Sequence, residues 1–218
     1  FFSILLAHLW VMTLLSAIQT GDIERVKFAV EQGAADINAE DEDGRTPIHW
    51  AVSTGHVDIF DFLLSKGAEV DTADEAGYTP LMSACSGGRM NVVDALLKTS
   101  KEPLDKTNND GRTALFFACS KGHLKVVERL LTCNPKPNVN LADQYNVTPL
   151  HRAVNKGIIE VVELLLDNGA KINAQDKRGD TPLHIASMEN NEPIGKMLIA
   201  RGADWQIKNK DGKTYEEV

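Results

Sequence analysis

A six-residue phrase returns six times along this chain at nearly constant spacing. It reads Asp41-x-x-Gly44-x-Thr46, Asp74-x-x-Gly77-x-Thr79, Asn108-x-x-Gly111-x-Thr113, Asp143-x-x-Asn146-x-Thr148, Asp176-x-x-Gly179-x-Thr181 and Asn209-x-x-Gly212-x-Thr214. The threonines lie 33, 34, 35, 33 and 33 residues apart. A period of that length marks a stack of small units, none able to bury its apolar face alone. The chain is therefore expected to be an all-α solenoid of helix pairs joined by β-turn or hairpin connections. Such stacks act by binding a partner along one face.

Each turn leads into a short inner helix. Thr-Pro-Ile-His at 46–49 and Thr-Pro-Leu-His at 148–151 and 181–184 place a capping threonine before a first-turn proline. Gly55, Gly88, Gly122 and Gly157 then break to an outer helix, whose apolar residues recur at helical spacing, as in Leu63-Leu64, Leu96-Leu97, Leu130-Leu131 and Leu165-Leu166. Gly67, Gly169 and Gly202 supply stops. Period and phrase together resemble the ankyrin repeat. The resulting repeats run at about 12–45, 46–78, 79–112, 113–147, 148–180 and 181–213, with a seventh cut short at 214–218, all read as one domain. Two longer connections, Lys98 to Asn109 and Thr132 to Gln144, are expected to be surface excursions. A stack needs a polar end, so completing the seventh repeat is expected to raise stability.

The N-terminus is unusually apolar from Phe1 to Ile18, and a signal or anchor has to be weighed against the repeat pattern. Met12 to Gly33 aligns with the repeats, Ala17 on Ala51 and Gly21 on Gly55, so Met12 is expected to be the natural start and the apolar leader 1–11 to be upstream or misassigned sequence. The formal net charge of −8 argues against general nucleic-acid binding. Three cysteines, an odd number, suit a reducing compartment, cytoplasm or nucleus. Cys85 and Cys119 are expected to be small buried hydrophobes and Cys133 an exposed thiol. Asn146 is read as a left-handed turn residue, not a glycosylation acceptor.

His49, His151 and His184 sit in the Thr-Pro-x-His phrase, where an imidazole can brace the neighbouring turn. Equivalent positions one repeat apart are too distant for ligand bonds of roughly 2 Å to a shared zinc. No phosphate loop, dinucleotide fingerprint or nucleophile elbow occurs. Neither an enzyme nor a bound metal or cofactor is expected.

Binding information should lie in the variable turn and inner-helix positions. Glu42, Asp43 and Glu75 make the early turns acidic, beside Arg45, Trp50 and Tyr78. Later positions turn basic, with Arg112, Lys121, Arg152, Lys156, Lys177 and Arg178 around Phe117 and Tyr145. Aromatic residues with arginine are frequent energetic centres of interfaces. Opposed charge along the row suggests a protein partner of reversed polarity.

These residues also resemble a particular family. Asp43-Gly44-Arg45-Thr46-Pro47-Ile48-His49-Trp50, Ala76-Gly77-Tyr78-Thr79-Pro80, and Asp143-Gln144-Tyr145 leading into Thr148-Pro149-Leu150-His151-Arg152-Ala153 are similar to the gankyrin family of proteasome assembly chaperones, its fungal members especially. The resemblance implies that the concave face holds the C-terminal domain of one proteasomal AAA-ATPase subunit, and that the chain alone is monomeric. A Leu-x-Cys-x-Glu motif of animal members is replaced by Ile185-x-Ser187-x-Glu189. The alternatives are a generic ankyrin adaptor, such as a kinase inhibitor or ubiquitin-ligase substrate receptor, or the cytosolic ankyrin domain of a membrane protein.

Overall fold

The computed structural model describes residues 13–33, 36–101 and 103–218. Residues 1–11, the expected leader, lie outside this set, as does most of the apolar N-terminal stretch. The chain divides into two compact units, Phe1–Glu102 and Pro103–Val218, and the division falls in the first long connection.

In the first unit α1 is described over residues 13–20. It is followed by α2 (Ile23–Glu31), α3 (Pro47–Thr54), α4 (Val57–Ser65), α5 (Pro80–Gly87) and α6 (Met90–Thr99). The second unit holds α7 (Ala114–Lys121), α8 (Leu124–Leu131), α9 (Pro149–Lys156), α10 (Ile159–Asp167), α11 (Pro182–Met188) and α12 (Glu192–Ala200). No strand occurs among the described residues. Inner helices stack on inner helices, α3 on α5 in one unit, α7 on α9 and α9 on α11 in the other; outer helices stack likewise, α2 on α4 and α8 on α10.

Local chemistry explains the helix limits. Thr113 Oγ1 accepts the Phe116 N–H at 3.1 Å, and Thr79 Oγ1 the Met82 N–H at 3.3 Å. Proline occupies the first turn of α3, α5, α9, α11 and α12, where its missing N–H is not needed. Asn146 holds φ at 58° in place of the turn glycine, as expected. The core of each unit comes from the helix faces turned inward: Ile48, Val52, Phe60 and Leu63 in the first, Leu130, Leu150, Val162 and Leu165 in the second, all at most 1% exposed. Each such side chain contributes about 1.5–3 kcal/mol on burial. Cys85 and Cys119 belong to this core, while Cys133 is half-buried.

Repeats are joined by a fixed set of polar links. His49 Nδ1 accepts the Thr46 N–H at 3.2 Å, and its Nε2–H donates to the Tyr78 carbonyl at 3.2 Å. His151 repeats this with Thr148 and the Asp180 carbonyl, and His184 with Thr181 and the Lys213 carbonyl. The expected bracing is therefore present. At the other end of three repeats, Asn38, Asn140 and Asn173 accept N–H bonds from Glu69, Lys171 and Asp204 at 2.8–2.9 Å. The second long connection is tied down in the same way, Asp105 accepting from the Asn138 N–H at 2.8 Å. Thr214–Val218 is not helical, although Glu217 Oε2 accepts the Thr214 N–H at 2.8 Å.

Candidate binding faces

Every turn is built on its leading Asp or Asn. Asp41 Oδ1 accepts the Asp43 and Arg45 N–H groups at 3.0 and 2.9 Å, and Asp143 Oδ1 those of Tyr145 and Val147 at 2.9 and 3.1 Å. Adjacent turns are joined through main chain: the Glu75 N–H donates to the Asp43 carbonyl, Gln144 to Asp110, Lys177 to Tyr145 and Lys210 to Arg178, at 2.8–2.9 Å. The turns therefore form a row in each unit, with positions two and three of the phrase pointing to solvent.

In the first unit that row is acidic. Glu42, Asp43 and Glu75 are exposed. Arg45 lies behind them, 5.4 Å over the Trp50 ring, and pairs with Asp43 at 3.5 Å and with Asp74 at 3.8 Å. The Trp50 indole N–H donates to Asp41 Oδ2 at 2.7 Å. Partial burial works against the Asp41 charge, but the bonds from the Arg45 N–H, the Trp50 indole and the Asp43 N–H outweigh it and hold this carboxyl below the ordinary aspartate range. A cleft of about 350 Å³ between the second and third repeats is lined by Arg45, His49, Ser53, Asp74, Tyr78 and Ser83.

The second unit has a different interior to its face. Asp143 has no exposed side-chain surface, and its Oδ2 receives the Arg112 Nε–H at 3.3 Å and lies 3.9 Å from Arg152 Nη2. The Phe116 ring lies beneath both guanidiniums, at 5.6 Å from Arg112 and 5.4 Å from Arg152. Arg112 Nη1 also pairs with Asp110 at 3.1 Å. Two cations and two carboxylates thus balance, and the cluster ties the fourth repeat to the fifth. Phe117 differs from the expectation of an open aromatic: it is buried, with its ring edge-on to Phe116. Lys121, Lys156, Lys177 and Arg178 are exposed. Tyr145 is 52% exposed, with Lys177 Nζ 5.8 Å from its ring centre.

The proposed site residues therefore fall into two groups. Arg45, Trp50, Arg112 and Arg152 interact with neighbouring repeats or turns, and Phe117 is core. Glu42, Asp43, Glu75, Lys121, Tyr145, Lys156, Lys177 and Arg178 face outward, while half-buried Tyr78 lines the cleft. Sequence spacing missed Asp143 and Phe116 because it reveals a side chain's register but not which way a long arginine folds. Burial pushes the His49 and His151 imidazoles below the ordinary histidine range, with carbonyl bonds to Tyr78 and Asp180 opposing the shift. Among the described residues, no group of His, Cys, Asp and Glu is placed to hold a metal, and no helix is long and apolar enough to cross a membrane.

This fold and these faces define a repeat protein of the ankyrin type, and comparison with known proteins agrees. The family described as ankyrin repeats (3 copies) matches residues 11–74, 67–143, 101–176 and 136–211, so the chain belongs to the ankyrin-repeat family. It is 52% identical over 58 residues to mouse 2-5A-dependent ribonuclease, a match covering 26% of this chain and 8% of that protein. Over 53 residues it is 47% identical to human protein phosphatase 1 regulatory subunit 27, covering 24% and 34%. The matches thus span well under two thirds of these relatives. Among solved structures it is similar to the ankyrin repeat domain of Bcl-3 (TM-score 0.76, 29% identity, 94% of this chain and 92% of that one). Human ASB11's ankyrin repeat domain gives a TM-score of 0.80 at 27% identity, covering 94% and 90%. An ankyrin-repeat domain of this kind is a protein-interaction domain.

Proposed function

We propose that this domain works by holding a protein partner against its turn rows and inner helices, without catalysis of its own. The observation that carries this reading is the sorting of charge between the two units. The first unit's sequence contains 16 acidic and 7 basic residues, the second's 15 and 16. The outward turn positions follow the same division: acidic at Glu42, Asp43 and Glu75, basic at Lys177 and Arg178. A basic patch of a partner would be steered to the first unit's row, and an acidic patch to the second's. A generic adaptor role fits the ankyrin relatives, whose own functions differ.

Within that class we favour the C-terminal domain of a proteasomal base ATPase as partner, held during assembly. Support comes from Trp50 after one phrase histidine, Arg152 after another, and the positions of the two long connections, all as in the gankyrin family. The test is affinity capture from cell extract with the chain as bait, read by mass spectrometry beside a Glu42→Lys, Lys177→Glu variant. Base ATPases recovered by the parent and lost by the variant are expected. Recovery of other partners alone would leave the adaptor role and remove the proteasome reading.

A further inference from the structure

The free cations of the second unit are not its arginines. Arg112 and Arg152 are turned onto Phe116 and Asp143, and Arg178 Nε is 3.2 Å from Asp180 Oδ2. Lys177 and Lys210 stand at the same turn position in successive repeats and are both exposed, and among the described residues neither is paired with a carboxylate. Their turns are linked in series, the Lys177 N–H to the Tyr145 carbonyl and the Lys210 N–H to the Arg178 carbonyl, each at 2.9 Å. Main-chain bonding thus fixes the spacing of the turns that carry one aromatic and two lysine side chains along a single edge. Tyr145 is one of four large hydrophobic side chains exposed among the described residues, and the only one in a turn of this row. Its ring carries Lys177 Nζ at 5.8 Å, leaving both groups at the surface.

We infer that Tyr145, Lys177 and Lys210 form the docking edge for an acidic protein segment, with Tyr145 as the anchor against which an apolar side chain of that segment packs. A tyrosine with two χ angles gives contact area at little conformational cost, and the lysines of the same edge select carboxylates. Arg112 and Arg152 act behind this edge as structural links. The inference rests on the proposed binding role and assigns its energetic centre to the turn tips of the second unit rather than to Trp50 and Arg152.

The experiment is calorimetric titration of the full chain with recombinant C-terminal domains of the proteasomal base ATPases, at low and at physiological salt. Variants are Tyr145→Ala, Lys177→Glu, and Lys125→Glu as a charge control on the exposed side of α8. For the domain that the parent binds, Tyr145→Ala and Lys177→Glu are each expected to weaken affinity roughly tenfold or more, the level of an interface hot spot. Lys177→Glu should also flatten the salt dependence, while Lys125→Glu changes affinity by less than about twofold. All three positions are exposed, so unchanged melting curves are expected. Parent-like affinity for both Tyr145→Ala and Lys177→Glu would overturn the inference and leave the ATPase reading standing. Parent binding to none of the domains would remove the ATPase reading and the inference together.

Discussion

At the scale of single residues, two buried side chains do the joining work. His151 accepts from Thr148 within its own repeat and donates to the Asp180 carbonyl in the next. Only the tautomer with Nδ1 bare and Nε2 protonated can do both. Protonating Nδ1 would set two N–H groups against each other in a buried place. The folded pKa values of His49 and His151 lie below the unfolded value of about 6.5. As pH falls through that value the unfolded chain takes up protons first, so stability is lost from about pH 6.5 downward until the folded values are passed. Urea midpoints measured between pH 7.5 and 5 are expected to fall, and a His49→Gln, His151→Gln variant to show a shallower fall. Asp143 provides a second test. Asn108 and Asn209 make the same turn bonds with an amide oxygen, so Asp143→Asn keeps the turn and loses only the pairing to Arg112 and Arg152. Asp143→Ala leaves the Tyr145 and Val147 N–H groups unpaired and is expected to cost about 1–3 kcal/mol more by chemical denaturation.

Among elements, the glycines separate two physical situations. Gly122 closes α7 with φ at 76°, and an added Cβ would come within 2.9 Å of Ile158 Cγ1 in the following repeat. The same cover recurs, with Arg89 over Gly55 and Asn191 over Gly157. Gly195, by contrast, lies inside α12, and its Cβ would meet nothing nearer than Ala186 Cβ at 4.0 Å. Gly122→Ala is therefore expected to destabilise by more than 1 kcal/mol, roughly the strain of a left-handed non-glycine residue plus the clash. Gly195→Ala is expected to stabilise by about 0.5–1 kcal/mol through helix propensity. Thermal melts of the two variants should move in opposite directions. Helix limits were legible in the sequence because threonine, proline and glycine act locally at them. What covers Gly122 was not, since Ile158 is 36 residues away and carries no mark of its own. Arg152 likewise reads as a free cation on a helix face, and only its approach to Asp143 shows otherwise.

For the molecule as a whole, both units repeat one construction while carrying different charge. The stack is generic: the turn carboxylate or amide, the capping threonine, the bracing histidine and the apolar helix faces build the repeat and do not choose a partner. Identity lies in the positions that the stack leaves open, which are acidic at Glu42, Asp43 and Glu75 and basic at Lys156, Lys177 and Lys210. These positions are exposed, as the periodicity expects of turn and helix-end residues, whereas Phe117, expected to be open, is buried. The most direct measurement is hydrogen exchange of the chain alone and with its captured partner. Binding through the open positions should slow exchange in the turns at 41–46, 74–79, 143–148 and 176–181 and in α3 and α9, leaving α4, α8 and α10 unchanged. Protection confined to those outer helices, with the turns exchanging as in the free chain, would contradict a partner held on the turn rows.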